Sequence, residues 1–168
     1  VRLAGNPVPP PATTPPIVSD GSPIEAAQIY RIYFHGPAYQ VLERAWWDGQ
    51  RMIGQFASGL PVHHHPSDRP LVMAPRLIEL CFQTAGLFEM VAHQRMGLPL
   101  HVDRIQLYRA PEVSAGPLFA VVVPAAASEG FDIDVVDATG NLYVHVSGYR
   151  TVQFRELGDL HTLSAVTA

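Results

Sequence analysis

The stretch "MAPRLIELCFQTAGLFEMVAHQRMG", residues 73–97, is a mostly apolar segment of helical length in a chain whose other apolar runs are short. Pro75 suits a first helical position and Gly97 and Pro99 mark an end, so the pattern predicts a helix from about Pro75 to about Met96. The remaining segments read as strands. "VLERAWWDGQRMIGQFAS" predicts two strands, or one bent strand, turning at Asp48-Gly49. "VDRIQLYRA", "PLFAVVVPAA", "FDIDVVDA" and "NLYVHVSGYRTVQF" predict four consecutive antiparallel strands, the last two joined through "DATGN". One helix wrapped by one antiparallel sheet is the economical packing for that order, an α+β layer that buries the helix nearly all round.

A helix so placed has little use for charge, yet it carries Glu79, with Gln83 four residues on and projecting from the same face. Burying a lone carboxylate is costly, and burial lifts a carboxyl's pKa toward neutrality, which is the environment a general acid needs. The plainer reading makes Arg76, Glu79, Gln83, Gly86 and Met90 a narrow stripe facing solvent or a partner chain. The residues by themselves leave both readings open.

The 168 residues fit one domain with a real core. Residues 1–24, with "NPVPPPATTPP", read as a Pro-rich linker, residues 25–156 as the folded domain and 157–168 as a C-terminal tail. A chain that starts at Val1 reads as excised or processed from a longer one. The net charge of −4 and the lack of a basic run argue against nucleic acid as a partner. All 11 basic residues are Arg, a pattern that suits a GC-rich coding sequence better than a binding surface. The single cysteine, Cys81, lies within the apolar helix; burial, no internal disulfide and a cytoplasmic location are expected. No segment approaches the roughly 18 apolar residues of a membrane span.

The consecutive histidines 63–65 alternate in direction and no Cys or His follows at ligand spacing, so neither a metal nor a cofactor is expected. His93 and His145 are expected to face solvent. Trp46 and Trp47 should divide between core and surface by strand alternation.

"HGPAYQVLERAWWDG" and "APRLIELCFQ" together carry a resemblance. The chain resembles the C-terminal half of the double hot-dog dehydratase domain of polyketide synthases and polyunsaturated fatty acid synthases, over residues 28–155. In that family a "GPxFQ" segment precedes a strand pair, matched here by Gly36, Pro37, Tyr39 and Gln40. "HPALLDxxxQ" opens the family's central helix, and Pro75, Leu77, Glu79 and Gln83 fall in register with it. "VDRIQLYRAPE" and "DIDVVDATGNLYVHVSGYRTVQF" resemble the strand after the helix and the last hairpin. Two positions depart from the pattern: Glu79 replaces the usual aspartate, and Ala74 the histidine.

The resemblance implies a hot-dog fold and syn loss of water from β-hydroxyacyl thioesters. The expected partners are an acyl carrier protein with its phosphopantetheine-bound acyl chain, and a second hot-dog domain or a second copy. Glu79 would be the acid, Gln83 would orient it, and His35, Gly36, Pro37 and Tyr39 would border the acyl channel. The family's base is a histidine of the other half. Within this chain His65, or His64, is the candidate, because His64-His65-Pro66 resembles an "HFP" element of stand-alone dehydratases. For His35 a structural hydrogen bond is the competing role. Two other functions stay open: a non-catalytic docking module of a megasynthase, and a hot-dog thioesterase.

Overall fold

A computed structural model describes residues 10, 13, 15–16, 21–69, 71–110, 116–126 and 129–156. The expected tail at 157–168 and most of the expected linker lie outside these residues. Ile24, placed in the linker by composition, belongs to the domain: it is fully buried and pairs with Ala45.

Among the described residues, eight strands form one sheet around one long helix. A two-residue strand β1 (Ile24–Glu25) and a short helix α1 (Ala26–Ile29) lead to a 3-10 turn (Pro37–Tyr39). Strands β2 (Leu42–Trp47) and β3 (Met52–Phe56) form the first hairpin, turning where Asp48-Gly49 predicts. Helix α2 (Pro75–His93) follows, then β4 (Arg95–His101), β5 (Arg104–Leu107), β6 (Leu118–Pro124), β7 (Phe131–Asp137) and β8 (Leu142–Glu156). The sheet order is β1-β2-β3-β6-β7-β8-β4, with β5 also paired to β8 and every pairing antiparallel. A curled antiparallel sheet around one central helix is the hot-dog fold, as expected.

Three expectations about these elements need correction. The helix ends at His93, with Gln94 in the left-handed region (φ 51, ψ 36), and an additional strand, β4, takes up Gly97 and Pro99. Pro99 is tolerated because β4 is the last strand of the sheet, where a missing N–H costs no ladder bond on the open side. Second, β5 pairs with β8 rather than with its successor β6.

The third correction concerns the proposed wet stripe, since Gln83 and Met90 are both buried. The segment around Tyr30 to Tyr39 covers that face of the helix, and the Tyr33 hydroxyl donates to the Gln83 carbonyl (2.8 Å). On the opposite face α2 lies against the sheet so closely that a Cβ on Gly54 would sit 2.3 Å from Thr84 Oγ1. Glycine at 54 is what lets helix and strand approach.

Trp46 and Trp47 point to opposite faces, as alternation requires, but both pack. Trp46 is buried with Ile53 and Phe119 in a small outer cluster, and Trp47 meets Phe88 edge-on (4.9 Å) against the main core. Cys81 is buried and free, as expected. His93 is exposed, whereas His145 is half-buried and bonded to Asp134 (2.7 Å). No helix is long and apolar enough to cross a membrane among the described residues.

The last hairpin is closed by Asp137, whose carboxylate accepts bonds from Thr139 N–H and Oγ1–H and from Asn141 N–H and Nδ2–H. Partial burial pushes this carboxyl up, but the Asn141 and Thr139 bonds outweigh it and hold the group well below the usual carboxylate range. A group with a depressed folded pKa stabilises the fold above its unfolded value, about 4, and loses that contribution as pH falls below it. Denaturant midpoints should therefore fall more steeply between about pH 4 and pH 2 in the natural chain than in Asp137→Asn. Parallel acid limbs would contradict this.

Candidate active site

Glu79 lies in the second turn of α2, where its side chain leaves the helix toward the segment before the 3-10 turn. Its Oε1 accepts a hydrogen bond from Gln83 Nε2 (3.0 Å) and lies 2.9 Å from His35 Nε2. Oε2 accepts no hydrogen bond among the described residues. The side chain is 25% exposed, so the carboxylate is partnered and open on one side rather than sealed in the core.

The Gln83 amide has its orientation fixed by its neighbours. Leu42 N–H donates to the Tyr30 hydroxyl (2.7 Å), which leaves the Tyr30 proton for Gln83 Oε1 (2.9 Å). Burial pushes the Tyr30 phenol well above its ordinary range, so it stays a donor. The Gln83 amide nitrogen then points the other way, to the Tyr39 carbonyl (2.9 Å) and to Glu79. Every polar atom of this amide has a partner, as a buried side chain requires. Replacing Gln83 with Leu strands the Tyr30 hydroxyl and the Tyr39 carbonyl, and about 2 kcal/mol of stability should be lost. A chemical-denaturation midpoint checks it, and a neutral substitution would contradict the network.

His35 is held on several sides. Its ring stacks on Phe34 (5.1 Å, 9°) and meets Tyr33 edge-on (5.5 Å, 86°), and its carbonyl accepts from Gln40 Nε2 (3.1 Å). Gly36 and Pro37 are exposed and shape the turn. Tyr39 reaches the site through its carbonyl, while its ring faces His63 (5.9 Å).

The structure does not bring His65 to Glu79, which corrects its assignment as the base. His65 is exposed in the loop before α2, and His64 Nε2 lies 3.0 Å from the Arg69 carbonyl oxygen. The histidine that meets the acid is His35. The "HGPAYQ" motif pointed to this segment, but only the approach of the segment to the helix identifies the contact. An open cleft of about 790 Å³ adjoins the start of α2, with Arg76, His63, His64 and Arg109 in its wall. Arg76, three residues before Glu79, is tied to the Ala38 carbonyl (3.0 Å) and the Pro61 carbonyl. No group of three His, Cys, Asp or Glu side chains converges as a metal site would need, among the described residues.

A second carboxylate went unnoticed in the sequence. Glu89 is fully buried at the other end of α2, where Oε1 accepts from Arg95 Nε (3.1 Å) and Nη2 (2.8 Å) and from Thr151 Oγ1 (2.7 Å). Its engagement with Arg95 and its distance along the helix from Glu79 mark it as a structural tie.

This arrangement offers one oriented carboxyl with one oxygen to spare, a proton donor or acceptor for a ligand entering beside α2. Comparisons with known proteins show the family of the chain. The family model described as the polyketide synthase dehydratase N-terminal domain matches residues 9–161. That match is to the N-terminal domain, not to the expected C-terminal half. Polyketide synthase ThaG of Burkholderia thailandensis is 24% identical over 115 residues, 68% of this chain and 2% of ThaG.

Among solved structures, a trans-AT polyketide synthase dehydratase domain from Brevibacillus brevis superposes with a TM-score of 0.64 at 20% identity, covering 80% of this chain and 49% of that one. The dehydratase domain of the CurK module of curacin polyketide synthase gives 0.61 at 20% identity, covering 79% and 48%. Two further CurK structures are described as inactive mutants, one with an aspartate replaced by asparagine and one with a histidine replaced by phenylalanine. The chain spans about half the length of these solved domains.

Proposed function

This chain belongs to the polyketide synthase dehydratase family, and we propose that it supplies the acid of a β-hydroxyacyl thioester dehydratase. In that reaction a base removes the α-proton, the Cα–Cβ double bond forms, and the β-hydroxyl leaves as water once protonated. Glu79 is the proton donor to the hydroxyl, acting through Oε2, and Gln83 orients it. The observation that carries this reading is the carboxyl itself: anchored through one oxygen, open at the other, and placed four residues before an amide whose orientation is fixed.

The family position of this acid is usually an aspartate, and the CurK mutants show one such protein failing without an aspartate or without a histidine. The extra methylene of Glu79 moves the carboxyl outward by roughly one bond, and a displacement near 1 Å can cost on the order of a hundredfold in rate. The Gln83 and His35 anchors compensate by fixing where the longer side chain ends.

The helix acid followed by Gln83 is why we read the chain as the C-terminal half. Its α-proton base then comes from a second hot-dog unit, because His65 is exposed and the His35 nitrogen nearest the site is engaged by Glu79. The substrate is delivered by an acyl carrier protein as a phosphopantetheine thioester. Incubation with a short β-hydroxyacyl thioester, alone and with the adjoining half, tests the reading by mass spectrometry. Loss of one water is expected when both halves are present, and an unchanged substrate in that mixture would refute it.

A further inference from the structure

We propose that His35 is a positioning residue for the acid: its Nε2, 2.9 Å from Glu79 Oε1, confines that oxygen and so leaves Oε2 as the oxygen that delivers the proton. The inference rests on the dehydratase reading and adds to it a residue outside the helix motif.

A glutamate side chain has three torsions to lose, and a working acid must be held within about half an ångström of its productive position. Gln83 alone cannot do this, because it projects from the same helix and one bond leaves the carboxyl plane free to turn. His35 approaches from a different element. The Gln83 bond at 3.0 Å and the His35 Nε2 contact at 2.9 Å meet one oxygen from two elements and together restrict the rotamer.

The ring of His35 stacks on Phe34 and meets Tyr33 edge-on, and its backbone carbonyl is held by Gln40. Its second nitrogen, Nδ1, is buried and has no hydrogen-bond partner among the described residues. A histidine kept only for structure would be expected to satisfy both nitrogens, since an unpaired buried polar atom is unfavourable. Here one nitrogen is left unpaired while the other is aimed at the acid, which is the pattern of a side chain retained for what Nε2 does.

The test is steady-state dehydration by the full chain, supplied with its adjoining half, for His35→Phe, His35→Gln, Gln83→Leu and the double variant His35→Phe with Gln83→Leu. His35→Phe should lower kcat by about ten- to a hundredfold and leave KM within about twofold. His35→Gln keeps an N–H donor and should recover kcat to within about fivefold of the natural chain. The double variant should lose less than the product of the two single losses, because both side chains act on one oxygen.

Equal losses in His35→Gln and His35→Phe would overturn the proposal and make the imidazole itself a reacting base. Full activity in His35→Phe would overturn it while leaving the dehydratase reading intact. Absence of turnover in the natural protein would overturn both. Nitrogen-resolved NMR of the imidazole gives a readout that needs neither turnover nor His35→Phe to fold: a protonated Nε2 whose resonance moves on Glu79→Gln is expected, and an unmoved resonance contradicts the contact.

Discussion

Glu79→Gln should abolish dehydration, lowering kcat by at least about a hundredfold, while the thermal midpoint stays within a few degrees of the natural chain. The amide preserves the size of the side chain and can still accept from Gln83 through its carbonyl oxygen, so the packing around α2 is kept. What it lacks is a transferable proton at the position of Oε2. General acid catalysis contributes typically 10²- to 10⁴-fold, and loss of the donor removes that factor from the chemical step. Because the site is open on one side, no large stability change is expected, which separates this variant from Gln83→Leu. Turnover within about twofold of the natural rate would mean that Glu79 is an orienting or structural carboxylate and that the acid lies elsewhere.

The largest effect on stability is expected far from that site, at Gly97. A Cβ added there would lie 2.2 Å from Glu89 Oε2 and 2.6 Å from Thr151 Cβ. Neither neighbour has room to withdraw: Glu89 is fully buried, and its other oxygen is held by Arg95 and Thr151. Relief of the clash must therefore break a buried carboxylate's bonds or push β4 off the end of the helix. Overpacking costs about 1–3 kcal/mol, and disturbing a buried ion pair adds to it. Gly97→Ala should lose about 3 kcal/mol, roughly 10 °C in thermal midpoint for a domain of this size. A shift under about 2 °C would show that the tie between α2 and β4 is loose.

Glu89 also shows where sequence reasoning stopped. Read as one helix to Met96, the segment puts Glu89 and Arg95 six residues apart on different faces, with no reason to meet. The left-handed residue at Gln94 ends the helix early and turns Arg95 back onto Glu89. Nothing local announces that turn, since Gly97, the apparent stop signal, serves instead to make room for a carboxylate oxygen. The fold class was legible because hydrophobic periodicity is local: one long apolar helix and short alternating strands leave few packings. The pairing of β5 with β8 was not, because strand pairing across some forty residues depends on which edges the curled sheet leaves open.

The candidate site was half legible. Glu79 and Gln83 share a face by helical spacing, and the structure joins them directly. The "HHP" run makes His65 only an in-chain candidate for the base, and it is exposed, while His35 reaches the acid through a tertiary contact between segments 44 residues apart, measured from His35 to Glu79. Spacing within one element predicts neighbours, and contacts between elements have no comparable signature. The aromatic residues of the "Tyr-Arg-Ile-Tyr-Phe-His" stretch were the available hint, since Tyr30 and Tyr33 are what dock that segment on α2.

The most direct measurement of the central claim is dehydration run in reverse: an enoyl thioester incubated in heavy-oxygen water with this chain and its adjoining half. The account predicts that the heavy oxygen appears at the β-carbon as a hydroxyl, with the thioester intact, and that Glu79→Gln prevents it. Heavy oxygen in a released carboxylic acid would identify a thioesterase, and no incorporation at all would identify a non-catalytic module; either result would contradict the assignment of Glu79 as a dehydratase acid.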